Sequence, residues 1–448
     1  MAEKLPYAPG GSASGAFSLS ESRNGGRLAY VLLWFPLASE TFIFREVMRL
    51  REKGFPLSVY TLYGTRPEGQ SAEMLNYSGP LTHIGPKASF SILAAFFRQV
   101  RKRPRLVLRL IREILLQRMR NAESYAENTL CFFAGFRLAE LIANDGISLL
   151  HAPWANGPAT AAWVASRLTG IPFSFTGRAG DIYPEDGLLA EKSRDALFVR
   201  TNNAADVEWL KKFCPAGSES KIHLIYNNLT LIQHVDGPAP CLPPYRILAV
   251  GRFCRKKGFP YLITAMARLR REKFPVHLTL VGDGNWHHRI VSQIHRLGLE
   301  NDIDLPGFVP HDHLMRFMKS HNMMVVPSVI HQNGDRDGIP NVIMEALTNG
   351  MPVIATDVCG ISEVIHPGKT GLLIPQRDAR AICSAIRWTV DHWDESLKMA
   401  AAGRELVRKM FDSEYNTLQL CELYESAMRG EAGAQAEASA EYTDGSRS

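Results

Sequence analysis

At 448 residues the chain is too long for one ordinary core and suits two domains of roughly 200 residues each. A hydrophobic content of 46% with 21% charged residues is normal for a globular enzyme, and no run reaches the roughly 18 uninterrupted apolar residues of a membrane-crossing helix. The net charge of +6 is local: nine Lys or Arg and only Glu113 lie between Arg98 and Arg120, a +8 stretch that leaves the rest of the chain at −2.

Residues 1–26, rich in Gly, Ser and Ala, lack the charged-then-apolar layout of a signal peptide and are expected to be disordered in a cytoplasmic protein. Seven scattered cysteines with no C-x-x-C pair predict reduced thiols and no zinc site. Leu28 to Phe35 is a continuous apolar run of strand length. Ser39 is placed to cap the next helix, and Leu57 to Tyr63 supplies a second strand. Helices fill much of Ile92 to Ile142. Then come a strand ending at His151, a helix from Pro158 to Leu168, and strands Phe173–Thr176, Ala196–Thr201 and Ile222–Tyr226. Strand and helix alternate, which predicts a parallel sheet covered by helices on both faces.

Within the basic stretch, Arg105, Arg109 and Arg112 share one helical face after Pro104, and Phe90 to Phe97 precedes them. Two readings stand side by side: an element lying on an anionic membrane surface, and a solvated helix face packed on its own domain. Aliphatic rather than aromatic residues are interleaved with the charges, which argues against nucleic acid as a partner.

Asp236 to Pro244 is proline-dense and marks an interdomain linker. Beyond it the alternation restarts with strands Arg246–Val250, Val276–Val281, Ile303–Leu305, Met323–Pro327, Pro352–Thr356 and Gly371–Ile374, separated by helices. The expected architecture is therefore α/β: a domain over 27–235, a second over 245–411, each doubly wound and Rossmann-like, and a cleft between them at the carboxyl ends of the strands. A last helix spans 412–429, and the tail 430–448 is expected to be disordered.

Gly251-Arg-Phe-Cys-Arg-Lys-Lys-Gly258 begins where a strand ends and stops where a helix starts, so Arg252 and Lys257 are expected at the sheet's carboxyl edge, able to engage a diphosphate. In Asp337-Gly338-Ile339-Pro340-Asn341-Val342, Pro340 fits the first helical position. The N–H groups of Asn341 and Val342 then point outward at the positive end of the helix dipole, a site for an anion. Asp337 and Glu345 aim two carboxylates at the mouth of that helix. Gly307 and Phe308 end another strand, where two readings stand side by side: a backbone that meets a base edge with the Phe308 ring packed on it, and a plain structural loop. Ser39, Glu40 and Thr41 line the opposite wall beside the sugar or acceptor; a plain helix cap is the other reading of them.

In order and spacing, G-R-F-C-R-K-K-G, V-G-D-G, L-P-G-F-V, D-G-I-P-N-V-I-M-E-A-L and G-K-T-G-L-L-I-P resemble glycosyltransferase family 4, the retaining GT-B-type family of nucleotide-sugar-dependent enzymes. F-P-L-A-S-E-T-F-I and P-F-S-F-T-G-R-A-G-D-I-Y resemble its bacterial exopolysaccharide branch, including colanic-acid-type transferases. The resemblance spans roughly Leu28 to Met428. It implies that Arg252 and Lys257 hold the donor diphosphate, that Glu345 takes the ribose hydroxyls, and that Asp337 contacts the donor sugar. It also implies that the last helix crosses back onto the first domain. Two positions depart from the family pattern: Asp337 stands where Glu is usual, and Arg178 where His is usual. Arginine stays charged near neutral pH, so any acid or base role of that histidine is lost. His151 and Asp181 are the other polar candidates on that wall, a packed strand-end residue being the other reading of His151.

The expected reaction is transfer of a hexose from a nucleotide-diphosphate sugar to a hydroxyl of a glycan, with a lipid-linked acceptor at the inner membrane face, no cofactor and no metal. An epimerase or phosphorylase of the same architecture, and a catalytically silent glycan- or nucleotide-binding relative, remain as alternatives.

Overall fold

The computed structural model describes residues 26–66, 68–85, 89–116, 122–184, 187–228 and 238–430. Nearly all of both termini expected to be disordered lies outside the described residues, as do Arg118, Arg120 and positions 236 and 237 of the expected linker.

Apolar, β-branched and aromatic runs form two all-parallel sheets. The first holds β1 (Arg27–Trp34), β2 (Leu57–Gly64), β3 (Leu81–His83), β4 (Ile147–Ala152), β5 (Phe173–Gly177), β6 (Val199–Thr201) and β7 (Ile222–Leu224), in the order β3-β2-β1-β4-β5-β6-β7. The second holds β8 (Tyr245–Val250), β9 (Val276–Val281), β10 (Ile303–Gly307), β11 (Met323–Val326), β12 (Val353–Thr356) and β13 (Leu372–Ile374), in the order β10-β9-β8-β11-β12-β13. Both orders reverse direction beside their first strand, at β1/β4 and at β8/β11. A crevice opens at such a reversal, because the flanking crossovers leave on opposite faces. Leu28 to Leu32 and Ile247 to Ala249 are fully covered, as expected for central strands with helices on both sides.

The helix Ser413–Arg429 starts on the Asp412 cap, whose carboxylate accepts the Tyr415 N–H at 2.7 Å, and lies against the first domain. Leu420, Cys421, Tyr424 and Ala427 join one apolar cluster with Leu28, Tyr30, Val47 and Leu149. At its centre the Tyr30 and Tyr424 hydroxyls are 2.8 Å apart, and Tyr30 donates to Glu46 Oε1 at 2.8 Å. Glu46 also forms a buried ion pair with Arg200. The C-terminal helix crosses back in this way onto the first domain.

Side chains near β12 complete the contact between the domains. Glu363 accepts the Ala204 N–H at 2.8 Å with one oxygen and the Tyr226 hydroxyl at 2.8 Å with the other. Cys359 Sγ lies 3.3 Å from the Tyr183 hydroxyl. Gly338 admits this approach because a Cβ there would lie 2.9 Å from Asn203 Nδ2. All seven cysteines are free thiols, and no helix among the described residues is long and apolar enough to cross a membrane.

Two local expectations need correction. Ser39 sits inside a short 3-10 turn, Ala38–Glu40, and the following helix Thr41–Glu52 has no side-chain cap. Pro340 is the N-cap residue in extended conformation, and Asn341 is the first helical residue. The shift leaves the Asn341 and Val342 amides in the first turn, where a helix has no internal acceptor for them.

Candidate active site

β8 ends at Val250, and the chain leaves the sheet through Arg252 into a tight turn, Arg255–Lys257, closed by Gly258. Gly258 has φ +65°, and a Cβ there would sit 1.8 Å from the Pro327 carbonyl, so the turn is pressed against the end of β11. Three consecutive basic side chains fan out in three directions, because a 3-10 turn advances 120° per residue. Arg255 points outward to His331 at 3.1 Å. Lys256 reaches Asp335 at 2.9 Å on the edge of the cleft, and Lys257 turns inward to Asp337 at 2.9 Å.

The cleft between the domains has a volume of about 490 Å³. From the second domain it is lined by Arg252, Lys256 and the segment Asp335–Ile339 with Asn341; from the first come Trp34, Glu40, Phe42, Trp154 and Arg178–Asp181 among others. Arg252 is exposed and makes no ion pair or hydrogen bond among the described residues. Burial alone would pull the Lys256 ammonium down, but Asp337 and Asp335 hold it above its ordinary value. Arg252, Lys256 and the first turn of the helix Asn341–Thr348 together place positive potential on one wall.

Asp337 is buried, 2.9 Å from Lys257 and 2.7 Å from the Ser328 hydroxyl, which donates to it. Burial by itself would raise its carboxyl group, but Lys257 and then Lys256 outweigh that and hold it below the usual carboxylate range. In this arrangement its charge is balanced by the two lysines.

On the opposite wall, Asp181 accepts the backbone N–H of Arg178 at 2.7 Å and that of Ala155, stitching the loops after β4 and β5 together. Burial pushes its carboxyl group up to about 7 against the pull of those two donors. Glu40 is also raised by burial, opposed by Trp154 and Arg178. The Arg178 guanidinium carbon lies 4.4 Å from the centre of the Phe42 ring and 5.6 Å from that of Trp154.

Of the residues singled out in the sequence, Glu40, Arg178, Asp181, Arg252, Asp337, Gly338, Ile339 and Asn341 converge on the cleft. Ser39, Thr41, Gly251, Lys257, Val342 and Glu345 lie next to lining residues in the chain or on the same helix but are not part of the cavity wall. Gly307 and Phe308 stand at the end of edge strand β10, Phe308 being 72% exposed. His151 is a correction: it is fully buried, with ring nitrogens 2.9 Å from Ser174 Oγ and 3.0 Å from Thr176 Oγ1, and packs on Tyr30 and Tyr424. Burial, then Arg200 and Arg178, drives its pKa well down, so it is a neutral core residue. Lys256, Trp34, Phe42 and Trp154 were missed. Lys256 stood in the same basic octet, but residue type alone does not say which of three adjacent cations faces the cleft.

Residues 242–406 match the family described as glycosyl transferases group 1. A putative colanic acid biosynthesis glycosyltransferase, WcaL, of Salmonella typhimurium is 30% identical over 201 residues, covering 44% of this chain and 49% of that protein. The Escherichia coli WcaL is 24% identical over 424 residues, covering 89% of this chain and 100% of that one. The chain thus spans about half of the first relative, at 49%, and all of the second. Among solved structures, Anabaena Alr3699/HepE in complex with UDP and glucose superposes with a TM-score of 0.66 at 16% identity, covering 90% of this chain and 100% of that one. The chain is thus similar over residues 242–406 to glycosyl transferases group 1 and has a GT-B-type fold of two Rossmann-like domains.

Proposed function

We propose that the chain is a retaining glycosyltransferase of family 4 type that moves a hexose from a nucleotide-diphosphate sugar to a hydroxyl of a glycan, in bacterial exopolysaccharide synthesis. The observation that carries this reading is the wall formed by Arg252, Lys256 and the first turn of the helix Asn341–Thr348, facing the first domain across one cleft. The similarity to WcaL, and to a UDP-binding structure of the same fold, supports the same reading. A nucleotide diphosphate is a leaving group whose charge grows as the glycosidic bond breaks. Donors fixed in a water-poor cleft stabilise that charge without reorganising. Lys257 stands behind them, ion-paired with Asp337. Each such donor is typically worth about 3 kcal/mol, or on the order of a hundredfold in rate. Transfer with retention proceeds on one face, with the leaving phosphate taking the acceptor's proton, so no protein nucleophile is assigned and no metal is called upon. The test is a thermal-shift screen with UDP-, GDP- and ADP-sugars, followed by product analysis with glycan acceptors. Stabilisation by one sugar nucleotide and acceptor-dependent release of its nucleotide are expected; donor conversion without acceptor, or a requirement for free phosphate, would reassign the activity.

The acceptor is proposed to be lipid-linked, the first domain resting on an anionic membrane. The helices Ser89–Lys102 and Pro104–Leu115 bury Ala95, Val107, Leu110 and Ile114 against their own domain. They turn outward Phe90, Leu93, Phe97, Leu108 and Leu115, with Phe90 85% exposed, beside exposed Arg105, Arg109 and Arg112. Arg98 is tied to Glu140 at 2.7 Å, and Arg103 to the Leu168 carbonyl, so they are less available. Apolar side chains among cations match the boundary of an anionic bilayer. Binding to phosphatidylglycerol vesicles should weaken with salt and on changing Arg105, Arg109 and Arg112 to Ala; salt-independent binding unaffected by these changes would reject the surface.

A further inference from the structure

Among the described residues of the first domain two arginines are buried, and one of them is ion-paired. Arg200 is ion-paired with Glu46. Arg178, 4% exposed, donates from Nε to the Pro153 carbonyl at 3.2 Å and from Nη1 to Asn227 Oδ1 at 2.9 Å, both neutral acceptors. Its Nη2 has no acceptor, and its guanidinium makes no ion pair among the described residues. Glu46, Asp181 and Glu40 favour its charge from a distance, but none bonds the guanidinium: both Asp181 oxygens accept backbone N–H groups instead. A buried cation without a directly bonded counter-charge is costly, and arginine in particular is found buried when paired.

Arg178 lines the cleft, and the rings of Phe42 and Trp154 hold its plane by cation–π contact. Phe42 and Trp154 are both only half-buried. We propose that Arg178 receives an oxyanion, a carboxylate or a phosphate, borne by a sugar in the cleft, so that the protein selects an acidic saccharide over its neutral counterpart. The guanidinium fork matches such a group in geometry as well as in charge. This inference rests on the sugar-transfer reading above and assigns Arg178 to specificity, not to the diphosphate, which the opposite wall engages.

The test compares wild type with Arg178→Gln and Arg178→Lys. UDP-induced stabilisation is measured first and should be the same in all three, showing that the diphosphate site and the fold are intact. Donor preference is then read with UDP-glucuronate against UDP-glucose. Acceptor preference is read, with UDP present, from the binding of glucuronate-terminated against glucose-terminated oligosaccharides. Wild type should favour the acidic form by about tenfold or more in one arm, as a charge-assisted hydrogen bond allows. Arg178→Gln should abolish the preference, and Arg178→Lys should keep part of it. A preference in the donor arm places the anion on the transferred sugar; one in the acceptor arm places it on the growing glycan. Neutral preference in both arms, or an acidic preference that survives Arg178→Gln, would overturn the proposal. Absence of any response to UDP-, GDP- and ADP-sugars alike would instead fail the sugar-transfer reading itself.

Discussion

Removing Lys257 should destabilise the second domain through Asp337, and a double-mutant cycle isolates that effect. The two side chains are 16% and 9% exposed and 2.9 Å apart, so each is a buried charge whose main partner is the other. Removing one member of such a pair typically costs about 3–5 kcal/mol. Asp337 keeps the Ser328 hydroxyl at 2.7 Å and Lys256 at 3.9 Å, which puts Lys257→Met near the lower end, about 3 kcal/mol. Asp337→Asn strands the Lys257 ammonium and should cost a similar amount. In Lys257→Met/Asp337→Asn no unpaired charge remains at the pair and the Asn oxygen still accepts from Ser328, so the loss should fall to about 1 kcal/mol. Urea unfolding at neutral pH measures all four proteins, and each single variant should also melt on the order of 6 °C or more below wild type. Additive losses, or a Lys257→Met protein as stable as wild type, would refute the pairing on which the reading of Asp337 depends.

Arg252→Met should behave oppositely, lowering kcat by on the order of a hundredfold with the melting temperature nearly unchanged, because Arg252 is exposed and holds nothing in the ligand-free protein. Burial pushes Asp206, on the helix that meets Cys359 and Glu363, up to about 6. Its folded pKa lies above the unfolded value of about 3.9, so the folded state holds the proton more tightly. Stability should therefore fall as pH rises from about 4 to about 6, by on the order of 2 kcal/mol, and Asp206→Asn should remove that part of the slope in denaturation measured across the window. Tyr424→Phe deletes one hydroxyl of the Tyr30–Glu46–Arg200 network and should cost about 1 kcal/mol, read in the same unfolding assay, with no change in cavity.

The fold was legible wherever strands are long and wholly apolar. Val276–Val281 matches its expected limits. β3 was not legible, because three half-exposed residues at a sheet edge carry no periodicity. At the site, loops that follow a strand directly were readable: Arg252 and the Asp337–Asn341 segment had to lie at the carboxyl edge. Side-chain direction was not readable there. Lys256 and Lys257 differ by one step of a 3-10 turn, which sends one to the cleft and the other into the domain. His151 lies among cleft-forming loops in sequence, yet strand alternation turns it into a cluster shared with Tyr424, some 270 positions later in the chain. That partner is invisible to local pattern. The aromatic pair around Arg178 joins the helix after β1 to the loop after β4 and becomes apparent only once β1 and β4 are adjacent.

If positive charge on the second domain's wall holds a diphosphate, a crystal structure with UDP will show it there. The β-phosphate should lie within hydrogen-bond distance of Arg252 and of the Asn341 or Val342 amide, at the mouth of the helix Asn341–Thr348. Phosphates bound away from that helix, with Arg252 and Lys256 left untouched, would contradict it.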